Sequence, residues 1–121
     1  MQIELTIDAP HTFKAIARPQ WSPWGTPDHA EQVFDGVWSI STPRHGGFYV
    51  SAERRKTMPE AWLNASFGRL GRDGWFEEDC DWCMIPLAFP DDWRRWRGDA
   101  AKREIEGARE TFNHWIAKKL A

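Results

Sequence analysis

Three groups of residues in this chain have types and spacings that could do chemistry. Cys80-Asp81-Trp82-Cys83 is a C-x-x-C pair. That is half of a tetrahedral zinc site, and the missing ligands would have to come from His11, His29, His45 or His114. On a helix both cysteines fall on an apolar stripe, where free cysteine behaves as a small hydrophobe, so buried cysteines with no metal and no cofactor are the expected reading, with a redox pair as a further alternative. His45 lies between Pro43-Arg44 and Gly46-Gly47. Glycines there let backbone approach a ligand, and an imidazole can act as acid or base near neutral pH. The plainer role is a turn histidine bonded to its own loop. Glu77, Glu78 and Asp79 are followed by Asp81. On a helix Glu77 and Asp81 share one face at i and i+4, a spacing that can hold a divalent cation or raise a carboxyl pKa by like-charge crowding. A solvated helix start favoured by the helix dipole is the plainer reading. His45, Glu77, Glu78 and Asp79 are therefore the catalytic candidates of an acid-base or metal enzyme.

Trp93-Arg94-Arg95-Trp96-Arg97 interleaves aromatic rings with cations, the pattern that stacks and neutralises single-stranded nucleic acid. Asp91, Asp92 and Asp99 offset those arginines, so core tryptophans under a solvated charged face are expected. Along the chain, Arg44, Arg54, Arg55, Lys56, Arg69 and Arg72 precede residues 73–92, which carry seven acids and no base. The two patches can pair with each other or dock a charged partner. Arg44, Arg54, Arg55, Trp93, Arg94, Arg95 and Trp96 are the candidate binding residues. No phosphate-loop, dinucleotide-loop, zincin or nucleophile-elbow motif occurs.

The elements that must position these groups belong to a chain of 121 residues, one domain's worth, so residues 1–121 are read as a single domain. With 41% hydrophobic and 28% charged residues and nine tryptophans, the composition is that of a folded protein. A net charge of −2 gives no support to a basic nucleic-acid coat. Two cysteines, no leader-like start and no long apolar run point to a cytoplasmic protein without membrane contact.

Ile3, Leu5 and Ile7 alternate with polar neighbours and predict a strand over residues 2–8. Pro19, Pro23, Pro27 and Gly25 make residues 19–27 a loop, pinned to the body by Trp21 and Trp24. Residues 37–41, entered through Asp35-Gly36, and residues 48–51 predict a hairpin closed by residues 44–47. Short helical turns follow at residues 51–54 and 59–65, then a glycine-rich loop at 68–74. Phe76, Cys80, Cys83, Met84 and Leu87 have helical spacing, which predicts a helix over residues 75–89 that Pro86 kinks or ends; a buried strand over 82–89 is the rival. Pro90 restarts a short turn to Arg97, which Gly98 interrupts. Ala101, Ile105, Ala108, Phe112, Trp115, Ile116 and Leu120 mark one apolar stripe, an amphipathic helix over residues 99–120 expected to seat on the sheet. The fold class is α+β: a small antiparallel sheet packed by a central helical segment and a long C-terminal amphipathic helix.

The motifs Thr42-Pro43-Arg44-His45-Gly46-Gly47 and Trp75-Phe76-Glu77-Glu78-Asp79-Cys80-Asp81-Trp82, with Ser51-Ala52-Glu53-Arg54, Met58-Pro59 and Leu87-Ala88-Phe89-Pro90, together resemble a bacterial domain family of unknown function carried on proteobacterial chromosomes, plasmids and phages. The resemblance spans roughly residues 37–121. It implies that His45, Gly46, Gly47, Glu77, Glu78 and Asp79 form a shared feature, and it ties the chain to mobile genetic elements without supplying a reaction. Cys83 and Pro86 depart from the pattern, which weakens a zinc site built on Cys83. The leading expectation is an accessory protein of a phage or mobile element that binds a host protein or nucleoprotein complex, in the manner of a counter-defence inhibitor. The alternative is the small enzyme using His45 with the acids.

Overall fold

A computed structural model describes residues 12–120, so the strand expected at residues 2–8 and the candidate ligand His11 lie outside the described residues. Four strands form one antiparallel sheet in the order β1 (His29–Phe34), β2 (Val37–Ser41), β3 (Gly46–Val50) and β4 (Trp75–Glu77). The Asp35-Gly36 step is a two-residue turn with Gly36 at φ 86°, so β2 is the second arm of a hairpin. β1 was hard to foresee because His29-Ala30-Glu31-Gln32 carries no β-branched residue. The β2–β3 hairpin forms, but its turn is residues 42–45, and Gly46 and Gly47, expected in the connection, pair with Ser41 and Ile40 as the start of β3.

Residues 75–89 do not form one helix. Trp75, Phe76 and Glu77 pair with Tyr49, Phe48 and Gly47 as the fourth strand. A 3₁₀ turn at Asp81–Cys83 then leads into a short helix α3 (Met84–Ala88). The pairing partner lies some thirty residues upstream, and such a long-range contact overrides local helical spacing. Pro86 stands in the first turn of α3, where its missing N–H has no intrahelical acceptor to lose, so the helix accommodates it.

Two short helices, α1 (Ala52–Arg55) and α2 (Glu60–Ala65), link β3 to the 3₁₀ turns of Phe67–Asp73, where Gly68 and Arg69 adopt left-handed conformations. After α3 come α4 (Pro90–Arg97), with proline at its start and Gly98 at φ 61° after its end, then α5 (Ala101–Thr111), a π turn (Phe112–Ile116) and α6 (Ala117–Leu120). The C-terminal stripe is buried at Ala101, Ile105, Ala108 and Ile116, whereas Trp115 and Leu120 are exposed. The wider π turn rotates every later side chain away from its α-helical phase. The helix seats on α3, α4 and the Asp81–Cys83 turn, where the stripe alone suggested the sheet. Phe112 meets Trp62 of α2 at 4.8 Å between ring centroids.

Strand register sorts the sheet into two faces. Val37, Phe48, Val50 and Phe76 point toward the helices, where Phe48 meets Trp93 and Trp96 edge-on. Trp38, Ile40, Tyr49 and Trp75 lie on the opposite face, beneath the loop of residues 12–28. Trp38 Nε1 donates to the Ile16 carbonyl at 3.1 Å, and the Trp24 ring stands perpendicular to Trp75 at 5.7 Å. The loop is thus pinned through indoles, although Trp21 itself stays 63% exposed. The architecture is α+β, and no helix among the described residues is long and apolar enough to cross a membrane.

Candidate functional site

The β3–β4 pairing brings the histidine turn and the acidic turn together. Gly46 N donates to Glu78 Oε2 at 3.0 Å, and Glu78 N donates back to the Gly46 carbonyl at 2.9 Å. Both glycines are required by this closeness. A Cβ on Gly47 would stand 2.2 Å from the Phe76 carbonyl oxygen, and one on Gly46 would stand 2.7 Å from that of Ile40. On the other side of the turn, Thr42 Oγ1 donates to the His45 carbonyl at 2.8 Å and accepts from the N–H of Arg44 and His45. A cleft of about 340 Å³ results, lined by Trp24, His45, Phe67, Glu77, Asp79 and Cys80.

Most carboxylates of the motif are occupied by backbone. Glu77 accepts from the N–H of Asp79 at 2.8 Å, of Asp81 at 3.1 Å and of Cys80, which folds the chain back after β4. Partial burial pushes its carboxyl up, but the Cys80 thiol and these three N–H groups outweigh that and hold it below its ordinary value. Asp81 is 1% exposed and accepts from Phe67 N at 2.7 Å. Burial, and then the neighbouring Glu77 charge, raise its carboxyl in spite of that bond. Asp79 is exposed, and among the described residues its carboxylate has no hydrogen bond or ion pair. His45 is likewise exposed, and its imidazole bonds no carboxylate among the described residues.

Ligand atoms of Glu77, Cys80 and Asp81 lie within 4.8 Å of one another, a grouping that could hold a cation. It arises from the turn after β4, not from one helix face. Burial pushes the thiols of Cys80 and Cys83 each up to about 12, so both are protonated at neutral pH. Cys83 is fully buried in the core and stands outside the cluster. His29, His45 and His114 do not join it either. The C-x-x-C spacing therefore does not converge on one point.

The binding candidates scatter. Trp93 is 4% exposed and donates from Nε1 to Glu104 at 2.9 Å, while Trp96 packs on Phe34, Phe48 and Trp93. Arg94 and Arg95 turn outward and pair one turn back with Asp91 and Asp92 at 3.1 and 2.7 Å. Arg97 pairs with Glu104 at 2.8 Å, which raises the guanidinium and lowers the carboxyl. The alternation of aromatic and basic residues is thus the inner and outer face of α4. Arg55 ties Val50 and Arg72 carbonyls together, and Arg44 remains exposed in its turn. Arg54 is withdrawn from the surface altogether, at 2% exposure. It bonds Asp92 and so joins the basic and acidic halves of the chain inside the molecule.

The cleft residues Trp24 and Phe67 were not foreseen as site residues. The available signal was two large aromatics in segments rich in glycine, proline and serine, where nothing local buries them. No curated protein and no solved structure matches the chain. The model of one family, described as a domain of unknown function (DUF7007), matches residues 17–120 and so takes in both the histidine turn and the acidic turn; the chain belongs to that family.

Proposed function

We propose that this domain is a binding module, an accessory protein of a phage or other mobile element that holds a host protein or nucleoprotein complex and so counters a host defence. The observation that carries this reading is the fate of the acids: Glu77, Glu78 and Asp81 accept from backbone N–H groups, so they act as scaffold for the cleft. A general base needs a free lone pair within reach of the proton it takes. Glu77 has both oxygens engaged, Glu78 and Asp81 do not line the cleft, and the free carboxylate of Asp79 bonds no imidazole among the described residues. What the cleft offers instead is apolar contact, with Phe67 63% exposed at its rim beside Trp24. Aromatic side chains of this kind anchor protein interfaces. The partner is read as protein or nucleoprotein because net charge gives direct nucleic-acid binding no support and the arginines of α4 are paired with acids.

The enzyme reading draws on one fact, that His45, Glu77 and Asp79 line the same cleft. Capture of a partner from bacterial lysate on immobilised wild-type protein, His45→Ala and Phe67→Ala separates the two. Binding lost in Phe67→Ala with an unchanged melting temperature is expected. Equal capture by Phe67→Ala, or a turnover abolished in His45→Ala with binding intact, would replace this reading with the enzymatic one.

A further inference from the structure

We infer that a second cleft, on the loop-covered face of the sheet, binds a small molecule bearing a quaternary ammonium group. This cleft of about 460 Å³ is lined by Trp21, Tyr49, Trp75 and Asp73 together with Ile16 and Pro19. Its volume is in the range of small-ligand sites.

Two of its aromatic rings, Trp21 and Tyr49, are each inclined to the third, Trp75. Trp21 and Trp75 are 5.9 Å apart between centroids with planes at 82°, and Tyr49 and Trp75 are 4.6 Å apart at 50°. Register places Tyr49 directly opposite Trp75 across β3 and β4, so these two walls are built into the sheet. Trp21 is presented rather than tucked away. The next residue, Ser22, is 1% exposed, accepts from Trp24 N at 3.2 Å and closes a turn in which Gly25 N donates to Ser22 O at 3.1 Å. Pro19 and Pro23 stiffen the chain on both sides. An indole held this way and left 63% exposed contacts water at a free-energy cost, and a ligand arriving there finds its wall already ordered.

Charge selects the ligand. Asp73 is the one charged residue lining the cleft, and its carboxylate has no hydrogen bond or ion pair among the described residues. No lysine or arginine lines the cleft, so an anion finds no counter-charge, and a neutral apolar ligand leaves the carboxylate unmatched. A cation with an apolar surface meets the exposed Trp21 indole and Asp73, backed by Tyr49 and the buried Trp75. A primary ammonium needs acceptors for three N–H groups. Besides Asp73 the cleft offers the Tyr49 phenol and Ser51, and Ser51 already caps α1 by accepting from Arg54 N, so three N–H groups are poorly matched. A quaternary ammonium has no N–H to satisfy and presents methyl groups to the rings.

The test is titration of the whole protein with choline and tetramethylammonium, followed by tryptophan fluorescence and calorimetry. The neutral choline isostere 3,3-dimethylbutanol and a trimethyllysine peptide serve as comparisons. Saturable binding of choline is expected, with at least about tenfold weaker binding of the neutral isostere and about tenfold losses in Trp21→Ala and in Asp73→Asn. Both residues are exposed, so melting temperatures of the variants report folding independently. No saturable binding by wild type, equal affinity for the neutral isostere, or unchanged affinity in folded Trp21→Ala would overturn the site. Binding of the trimethyllysine peptide without binding of choline would overturn the small-molecule assignment.

Discussion

Arg54 donates from Nη1 to Asp92 Oδ2 at 2.9 Å from a position where only 2% of its surface meets solvent. Its guanidinium carbon lies 4.0, 5.0 and 4.7 Å from the ring centroids of Phe13, Phe34 and Phe89, and Nε bonds the Asp35 carbonyl. One side chain therefore ties the 12–28 loop, the β1–β2 turn, α1 and α4 together. A buried guanidinium is tolerated only when its donors and its charge are matched, and three rings with one carboxylate supply that match.

Removing the cation while keeping much of the volume should be costly. Arg54→Met is expected to lose about 1–3 kcal/mol in urea unfolding, since it removes the donor to the Asp35 carbonyl but leaves Asp92 part-exposed and still paired with Arg95. Asp92→Asn should lose more, about 3–5 kcal/mol, because it leaves the buried guanidinium without its carboxylate. A Met variant as stable as wild type would show that the cage, and not the charge, holds this junction.

Gly47 and Gly107 make a matched pair of alanine tests. At Gly47 the added Cβ meets the Phe76 carbonyl at 2.2 Å and Glu77 Cα at 2.9 Å, so β3 and β4 must part and the histidine turn must leave the acidic turn. Gly47→Ala should lower stability by more than about 3 kcal/mol. Nothing lies within 4 Å of a Cβ at Gly107, which is inside α5, so Gly107→Ala should add about 0.5–1 kcal/mol. Thermal unfolding of both variants checks the opposite signs.

Glu77→Ala should leave three N–H groups without their acceptor and lose about 2–3 kcal/mol near neutral pH. The carboxyl in the folded state lies below its ordinary 4.5, so its contribution is complete above about pH 4.5 and fades as pH falls through the lower folded value. Denaturant midpoints at neutral pH and at acid pH should therefore converge for wild type and variant as the acid limb is entered. A difference that stays constant to low pH would assign the effect to chain geometry.

Asp81 should behave with the opposite sign. Its folded carboxyl lies above the ordinary 3.8, so the stability it contributes is complete below that value and is lost as pH rises through the raised one. Asp81→Asn keeps a carbonyl oxygen for Phe67 N and removes both the buried charge and its repulsion by Glu77. The variant's midpoint relative to wild type should climb with pH across that window. A relative midpoint that is flat or falls would show that the ionised carboxylate is fully compensated where it lies.

Local sequence alone determined the parts whose physics is local. Asp35-Gly36 forces a tight turn, Pro90 opens a helix that Gly98 closes, Ser51 caps the turn after β3, and the spacing of Ala101, Ile105 and Ala108 defines a buried helical stripe. Tertiary structure decided the rest, and in each case the deciding partner is distant along the chain. Phe76, with helical spacing to Cys80, became a strand residue because Phe48 lay open for pairing. Cys80 and Cys83, one turn apart in the motif, were separated because a 3₁₀ turn sends one toward Glu77 and Asp81 and the other into the core. Arg54 and Asp92 carry ordinary surface residue types, and only the convergence of Phe13, Phe34 and Phe89 makes a buried pair of them. Hydrophobic period and turn chemistry act over a few residues, whereas strand pairing and the matching of buried charge depend on which segments the fold brings side by side.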